Sequence, residues 1–422
     1  MRFPKHWLSR SEFVNNVLKL LSGNSLAAAI TFLSLPVITR MYSNADFGNY
    51  QLAVSLITLF GLVATLKYEL AIVLPREEEE ANELTVLALL VLAGFGTTLF
   101  LAIWVFERPL LELLNARQLQ GYGWTIAVGA VFIGLFQTSN YMLIRNKLFG
   151  DLARKNLYRA IGIYGGAILL GLVSANFFSL FVSFLIGALV PSVMVFVKRP
   201  VNWQASSRQS LLRLARNYKK FPMFNTLSVF LNNFSMELPI FMIFAFHDHE
   251  VAGLYALANR LIVVPLNLLG TSVAQVYMQA ASESFNAAPE KLMGVYKQTI
   301  KKLSLFGLLP VTAVWFLAPV LVGHIFGEQW TEAGVYMQIL SINLYFRFVN
   351  SPISVTFSVI NRQEVGLIIV AIFLAIRFAM MYLFRETPES LLWALSISGA
   401  VFYSTFNYCV YVFIRKKIDN QP

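Results

Sequence analysis

The sequence predicts an all-α integral membrane protein of about twelve transmembrane helices, arranged as two pseudo-symmetric six-helix lobes. Three observations carry this: the composition, the recurrence of span-length apolar runs, and the internal repetition of one hairpin. Hydrophobic residues make up 57% of the 422 positions and charged residues only 13%, so lipid is the solvent this chain is built for. Its 36 phenylalanines are spread over the whole length, which excludes a soluble domain carried on a single anchor.

Runs of about 20 apolar residues, the length that crosses the hydrocarbon core, follow one another in order. The first lies at 14–40 behind the basic start MRFPKHWLSR, which has no small-residue cleavage site and reads as a retained helix. Next come 48–74, 84–106, 121–144, 157–175 and 177–197, mostly close enough in sequence to form helical hairpins. After a polar interval the second set occupies 223–246, 251–282, 303–326, 335–360, 366–384 and 391–414. Trp104, Trp124, Trp315, Trp330 and Trp393 fall near the outer ends of spans, where an amphipathic ring sits at headgroup level.

The net charge of +11 reports topology rather than nucleic-acid binding. With the N-terminus in the cytoplasm, 24 basic residues fall on the inside, against four outside (Arg40, Arg108, Arg117 and Arg385). Both termini are therefore expected in the cytoplasm. The inside set includes all five basic residues from Arg145 to Arg159, Lys155 among them. The acidic run from Glu77 to Glu80 reads as a solvated inside turn.

Leu35-Pro36 is followed by Gly48-Asn49-Tyr50-Gln51-Leu52-Ala53, and Leu238-Pro239 by Gly253-Leu254-Tyr255-Ala256-Leu257-Ala258. The offset changes only from 203 to 205 residues, so the two hairpins read as a duplication. Each unit has an even number of spans, so the repeats run parallel and a cavity is expected between them. The proline within each first helix is expected to bend it. The lobes are 1–197 and 223–422, joined by a basic cytoplasmic linker at 198–222. Within the linker, SLLRLARNYKK sets Leu211, Leu214, Ala215 and Tyr218 on one face, the pattern of an amphipathic helix lying on anionic headgroups.

An ionised side chain inside a span costs on the order of 3 kcal/mol on insertion scales, so such residues turn toward protein or a wet cavity. In the second lobe these are Glu237, Arg347 and Arg377 near mid-span and Arg260 in the outer half; in the first they are Lys67, Glu69 and Arg40. Lys19 is close enough to the inner interface to snorkel. The surplus of cations suits an anionic cargo, because guanidinium forks match phosphate oxygens. Pairing of Arg347 or Arg377 with Glu237 as a structural bridge is the competing reading. Glu237 and Glu69 are candidates for ion coupling or charge pairing. Asn233, Asn140 and Asn343, with Asn232, Gln137 and Asn350, could bond sugar hydroxyls, although bonding between helices is their commoner use.

Cys409 is the single cysteine, so no disulfide or thiolate cluster is expected. The absence of a GxxxxGK[ST] loop argues against an ATP-driven pump, and neither HExxH nor paired-cysteine spacing occurs. His247 and His249 in HDHE read as a solvated outer hairpin. No metal and no cofactor are expected, and the chain does not read as an enzyme.

The hairpin from Gly23 to Pro75, with LP followed by FGxY, resembles the opening of the O-antigen and polysaccharide flippases of the multidrug, oligosaccharidyl-lipid and polysaccharide exporter superfamily. The resemblance implies a V-shaped pair of lobes that moves an undecaprenyl-diphosphate-linked oligosaccharide across the bacterial inner membrane by alternating access. It implies a functional monomer whose partners are the lipid-linked oligosaccharide, anionic lipids and, further out, a polysaccharide polymerase and chain-length machinery. Ion coupling is left open. A drug or cation antiporter of the same superfamily is the alternative, but it would want a more acidic or aromatic cavity. A lipid-linked-sugar polymerase or ligase would need a larger outer loop than the stretch from Glu107 to Gln120.

Overall fold

In the computed structural model, residues 10–204, 206–287, 289–360 and 362–419 are described, and among them there is no strand. The order is α1 (Arg10–Met41), α2 (Asn44–Gly61), α3 (Glu78–Leu113), α4 (Trp124–Arg145), α5 (Phe149–Ala160), α6 (Gly166–Val173) and α7 (Phe177–Lys198). Then follow α8 (Arg208–Asn217), α9 (Thr226–Phe246), α10 (His249–Ala287), α11 (Pro289–Phe326), α12 (Thr331–Ile353), α13 (Thr356–Val359), α14 (Gln363–Leu383) and α15 (Pro388–Asp419). Nine helical stretches among the described residues are long and apolar enough to cross a membrane. The other three expected spans begin within or overlap α2, α10 and α12. Large apolar side chains are also turned outward, as on α11, where Leu305, Phe306 and Leu309 are 70 to 78% exposed. Such a surface is stable against lipid and not against water.

Two compact units emerge. The first comprises Met1–Ser43 and Leu52–Phe234; the second comprises Asn44–Gln51 and Ser235–Pro422. In the first, α1 packs on α5, α3 on α4, and α4 and α6 on α7. In the second, α12 is the central helix, contacting α10, α11 and α15, while α14 lies on α15.

The first unit departs from the expected spans in two places. The second span is not one helix: α2 stops at Gly61, and the chain re-enters a 3-10 turn at Tyr68–Val73. Leu66 and Lys67 adopt left-handed backbone conformations, with φ of 48° and 62°. The break is built around buried charge. Glu69 is fully buried, Thr65 donates its hydroxyl to it, and Lys67 Nζ lies 3.1 Å from its Oε1. Irregular backbone at membrane depth is tolerated only where protein surrounds it, and Val63, Ala64 and Tyr68 are all buried.

The fifth span also starts earlier than expected. α5 carries the charged residues Asp151, Arg154 and Lys155 and continues through a π-helical turn at Ile161–Gly165 into α6. Lys155 is therefore no cytoplasmic loop residue. It is 3% exposed and donates to Phe136 O at 2.7 Å, to Asn140 Oδ1 at 2.8 Å and to the Ser139 hydroxyl.

Helix α8 opens with a capping box between Ser207 and Ser210. The apolar face expected on headgroups instead packs on protein: Leu214 is 1% exposed in a cluster with Tyr68, Leu84 and Leu87. Tyr68 donates to Ala215 O at 3.1 Å, and Tyr218 to Glu80 at 3.2 Å. Burial and the adjacent Glu80 carboxylate raise the Tyr218 pKa. The acidic run is thus more than a solvated turn. Its residues fill the first turn of α3, where the helix dipole favours them, and Arg145 reaches Glu78 at 3.5 Å. Trp330 is not an interfacial anchor: it is fully buried edge-on to Phe47 and belongs to the core, whereas Trp104 is 77% exposed.

Candidate functional site

A cavity of about 240 Å³ lies inside the second unit. α9 contributes Glu237 and Pro239; α10 contributes Tyr255 and Asn259; α12 contributes Asn343 and Arg347. Arg377 of α14, Tyr403 of α15 and Gln51 of α2 complete its polar lining. Helical spacing explains the convergence, since Tyr255 with Asn259 and Asn343 with Arg347 are i, i+4 pairs on single faces.

Arg377 is 9% exposed and is held by α9: its Nη1 donates to Ser235 O at 2.9 Å and to Ser235 Oγ at 3.0 Å. Among the described residues its Nε, though buried, has no acceptor, and Asn343 Oδ1 is likewise buried without a donor. Asn343 fits where it does because α15 has Gly399 opposite; a Cβ there would come within 2.0 Å of Asn343 Oδ1. Among the described residues neither Arg347 nor Arg377 forms an ion pair. The cavity therefore joins two guanidinium groups and one carboxylate with amide and hydroxyl groups that can both give and accept hydrogen bonds. That set can hold a polyoxygenated anion, with the guanidinium forks on its charged oxygens and the amides on neutral hydroxyls.

Of the residues singled out in the sequence, Glu237, Arg347, Arg377 and Asn343 come together here. Arg260 is not part of the lining; its guanidinium lies over the rings of Phe47 at 5.4 Å and Tyr50 at 5.8 Å. Lys67 and Glu69 form the buried pair of the first unit, and Arg40 is exposed in the last turn of α1. Asn140 is engaged by Lys155, and Asn233 donates to Val229 O at 2.7 Å within its own helix. No group able to hold a metal occurs among the described residues, the HDHE turn included. There burial lowers the His247 pKa against the opposing pull of Asp248 and Glu389. The side chain of Lys19 lies outside the described residues.

Sequence reasoning missed Gln51, Tyr255, Asn259 and Tyr403. The signal for two of them was present, because Gln51 and Tyr255 belong to the repeated GxYxLA motif itself. The repeat glycines have a structural role as well: Gly48 and Gly253 lie where the starts of α2 and α10 touch, backbone against backbone.

An all-helical, multi-pass chain with a duplicated hairpin and an arginine-lined cavity within an apolar bundle is a membrane transporter in its architecture. Residues 37–335 match the family described as polysaccharide biosynthesis protein, and the chain belongs to that family. The resemblance seen in the first hairpin is thereby borne out. The chain is 23% identical over 334 residues to the succinoglycan biosynthesis transport protein ExoT of Rhizobium meliloti (strain 1021). That match covers 74% of this chain but only 62% of ExoT. It is 25% identical over 356 residues to the lipopolysaccharide biosynthesis protein WzxC of Escherichia coli (strain K12), covering 79% of this chain and 69% of WzxC. Among solved structures, the lipid II flippase MurJ in an inward closed conformation superposes with a TM-score of 0.73 at 15% identity, covering 95% of this chain and 90% of MurJ. An inward-facing multidrug resistance MATE family transporter gives 0.71 at 19% identity, covering 94% of this chain and all of that one. These two likenesses show the fold.

Proposed function

We propose that this protein carries a lipid-linked oligosaccharide, gripped by its diphosphate, from the cytoplasmic to the periplasmic leaflet of a bacterial inner membrane. The two six-span lobes, 1–197 and 223–422, alternate in exposing the cargo to the two sides. The observation that carries the reading is the cavity in which Arg347 and Arg377 converge with no ion pair among the described residues, beside the amide of Asn343. Arg347 and Arg377 take the phosphate oxygens, while Asn343, Asn259 and Gln51 take hydroxyls of the first sugar. Glu237 shares the cavity with the anion. Its charge must be offset when the cargo enters, so it is the candidate coupling group. The names of ExoT and WzxC, which speak of succinoglycan transport and lipopolysaccharide biosynthesis, support a glycan cargo.

The test is reconstitution into liposomes with a short undecaprenyl-diphosphate-linked glycan, scored by access of a membrane-impermeant lectin, with a cationic dye as competing cargo. Wild type should expose the glycan, and Arg347→Ala and Arg377→Ala should each lower the rate at least tenfold, the loss of about 1.4 kcal/mol or more expected for a charged hydrogen bond. Movement of the dye alone would replace this reading with the antiporter reading suggested by the MATE-like fold.

A further inference from the structure

A second cavity adjoins the first and is its chemical opposite. It measures about 450 Å³ and lies between α10, α11 and α12, walled by Pro265, Phe306, Pro310, Val311 and Phe348. The volume is that of a ligand pocket. Among the described residues two hydroxyls reach its lining and both are already used: Tyr345 donates to Ser304 O at 3.3 Å, and Ser341 to Gln338 O at 2.7 Å. The space therefore accepts hydrocarbon.

One helix separates the two cavities. Asn343 and Arg347 of α12 line the arginine cavity, Ser341, Tyr345 and Phe348 line the apolar one, and Leu344 borders both. Protein interiors close such gaps, because an unfilled one forfeits contacts on every side. Here Pro265 in α10 and Pro310 in α11 both line the gap, and each lacks the backbone N–H that would close its own turn. Phe306 lines the gap and is also 73% exposed, beside the exposed apolar side chains of Leu305 and Leu309, so the space opens onto an apolar outer surface of α11.

Building on the cargo reading above, we infer that this groove holds the first isoprene units of the cargo's polyprenyl chain. The lipid is then gripped twice, by its phosphates at Arg347 and Arg377 and by its chain across Leu344. An acyl chain of a bulk phospholipid has the same apolar chemistry; the polyprenyl chain is favoured because the groove shares a wall with the arginine cavity, so one molecule can fill both.

The test uses the full-length protein in detergent and a series of pyrophosphate, geranyl, farnesyl and geranylgeranyl diphosphate. Binding should tighten along the series. Leu303 of α11 also lines the groove, so Val311→Trp and Leu303→Trp fill it from different positions and should each weaken geranylgeranyl diphosphate about tenfold and leave pyrophosphate unchanged. The gain is this modest because detergent is itself apolar, so that only packing contacts count. Arg347→Ala should weaken the whole series while keeping its slope. A farnesyl diphosphate with a photoreactive tail, which needs no substitution in the protein, should label Phe306 or Phe348. An unchanged slope in both tryptophan variants, or labelling displaced equally well by phosphatidylglycerol, overturns the groove assignment. A flattened slope with Arg347→Ala without effect keeps the groove and removes the phosphate site.

Discussion

Replacing Gly48 or Gly253 by alanine tests whether the crossing of α2 and α10 is set by the repeated glycines. A Cβ on Gly48 would lie 2.0 Å from His249 O and 2.9 Å from Gly253 N; one on Gly253 would lie 1.9 Å from Asn44 O. Real Cβ atoms essentially never come within 3.0 Å of another heavy atom, so the two helix starts must part by about 1 Å. The obstacle is backbone and cannot rotate away. Parting them stretches the bond from Asn44 Nδ2 to Gln329 O, now 2.8 Å, and loosens Phe47 from Trp330. Overpacking of this kind costs ~1–3 kcal/mol, and a lost hydrogen bond adds ~0.5–1.5 kcal/mol. Each variant should thus lose ~2–4 kcal/mol, read as a lower melting midpoint of purified protein. The double variant should lose less than the sum, since one separation accommodates both methyls. Gly94→Ala, where a Cβ meets nothing within 4 Å, is the control and should melt at or above wild type. Gly48→Ala and Gly253→Ala proteins that melt with wild type would refute the reasoning.

Three further outcomes follow from the first unit. Lys67→Met should destabilise by ~3–5 kcal/mol by leaving the buried Glu69 carboxyl without its cation, and adding Glu69→Leu should recover most of the loss; chemical denaturation in detergent decides it, and equal melting of the single and double variants would count against the pair. Lys155 should resist amine-reactive labelling in the native protein while Lys147 and Lys198 react, as scored by peptide mass spectrometry; equal labelling would put its ammonium in solvent. Leu214→Asp should release α8 from its seat against Tyr68 and Leu84, opening trypsin sites at Arg213 and Arg216 that are slow in wild type, and an unchanged digestion pattern would contradict the docking.

Much of this was legible because lipid imposes a simple rule on long apolar runs. The nine helical stretches long and apolar enough to cross a membrane among the described residues, the family and three of the charges at the cavity follow from hydropathy, a repeat and the cost of charge at depth. What was illegible depends on which way a residue faces. Trp330 and Trp104 are at similar depth in the sequence reading, yet one is core and the other is exposed to lipid, because depth carries no information about angular position. The interruption after Gly61 was hidden because residues 62–66 are as apolar as a span; the turn is fixed by where Glu69 and Lys67 are buried, a tertiary fact. In sequence Lys155 is indistinguishable from a loop cation, because Lys147, Arg154 and Arg159 surround it, whereas its acceptors come from α4.

The duplicated halves differ in how they treat buried charge, and the difference bears on affinity. In the first unit Lys67 and Glu69 answer each other, and the Lys155 ammonium is met by a carbonyl, a hydroxyl and an amide. Such groups are structural: removing a partner costs stability. In the second unit Arg377 Nε and Asn343 Oδ1 have no partner among the described residues, at the edge of a space of about 240 Å³. Buried polar groups of this kind are ordinarily satisfied by water when the space is polar and roomy enough. On the proposed cargo reading, the cargo exchanges its oxygens for water in this cavity rather than meeting bare charge, and the net gain is a fraction of the gross attraction. A carrier needs that discount. A ligand that binds two conformations equally tightly shifts neither, and one that binds a single conformation too tightly is not released. Filling the arginine cavity with a carboxylate, as in Asn343→Asp, would remove the discount by pairing the guanidinium groups internally. It should abolish cargo binding while raising the melting midpoint, the opposite signs that separate a transport site from a structural one.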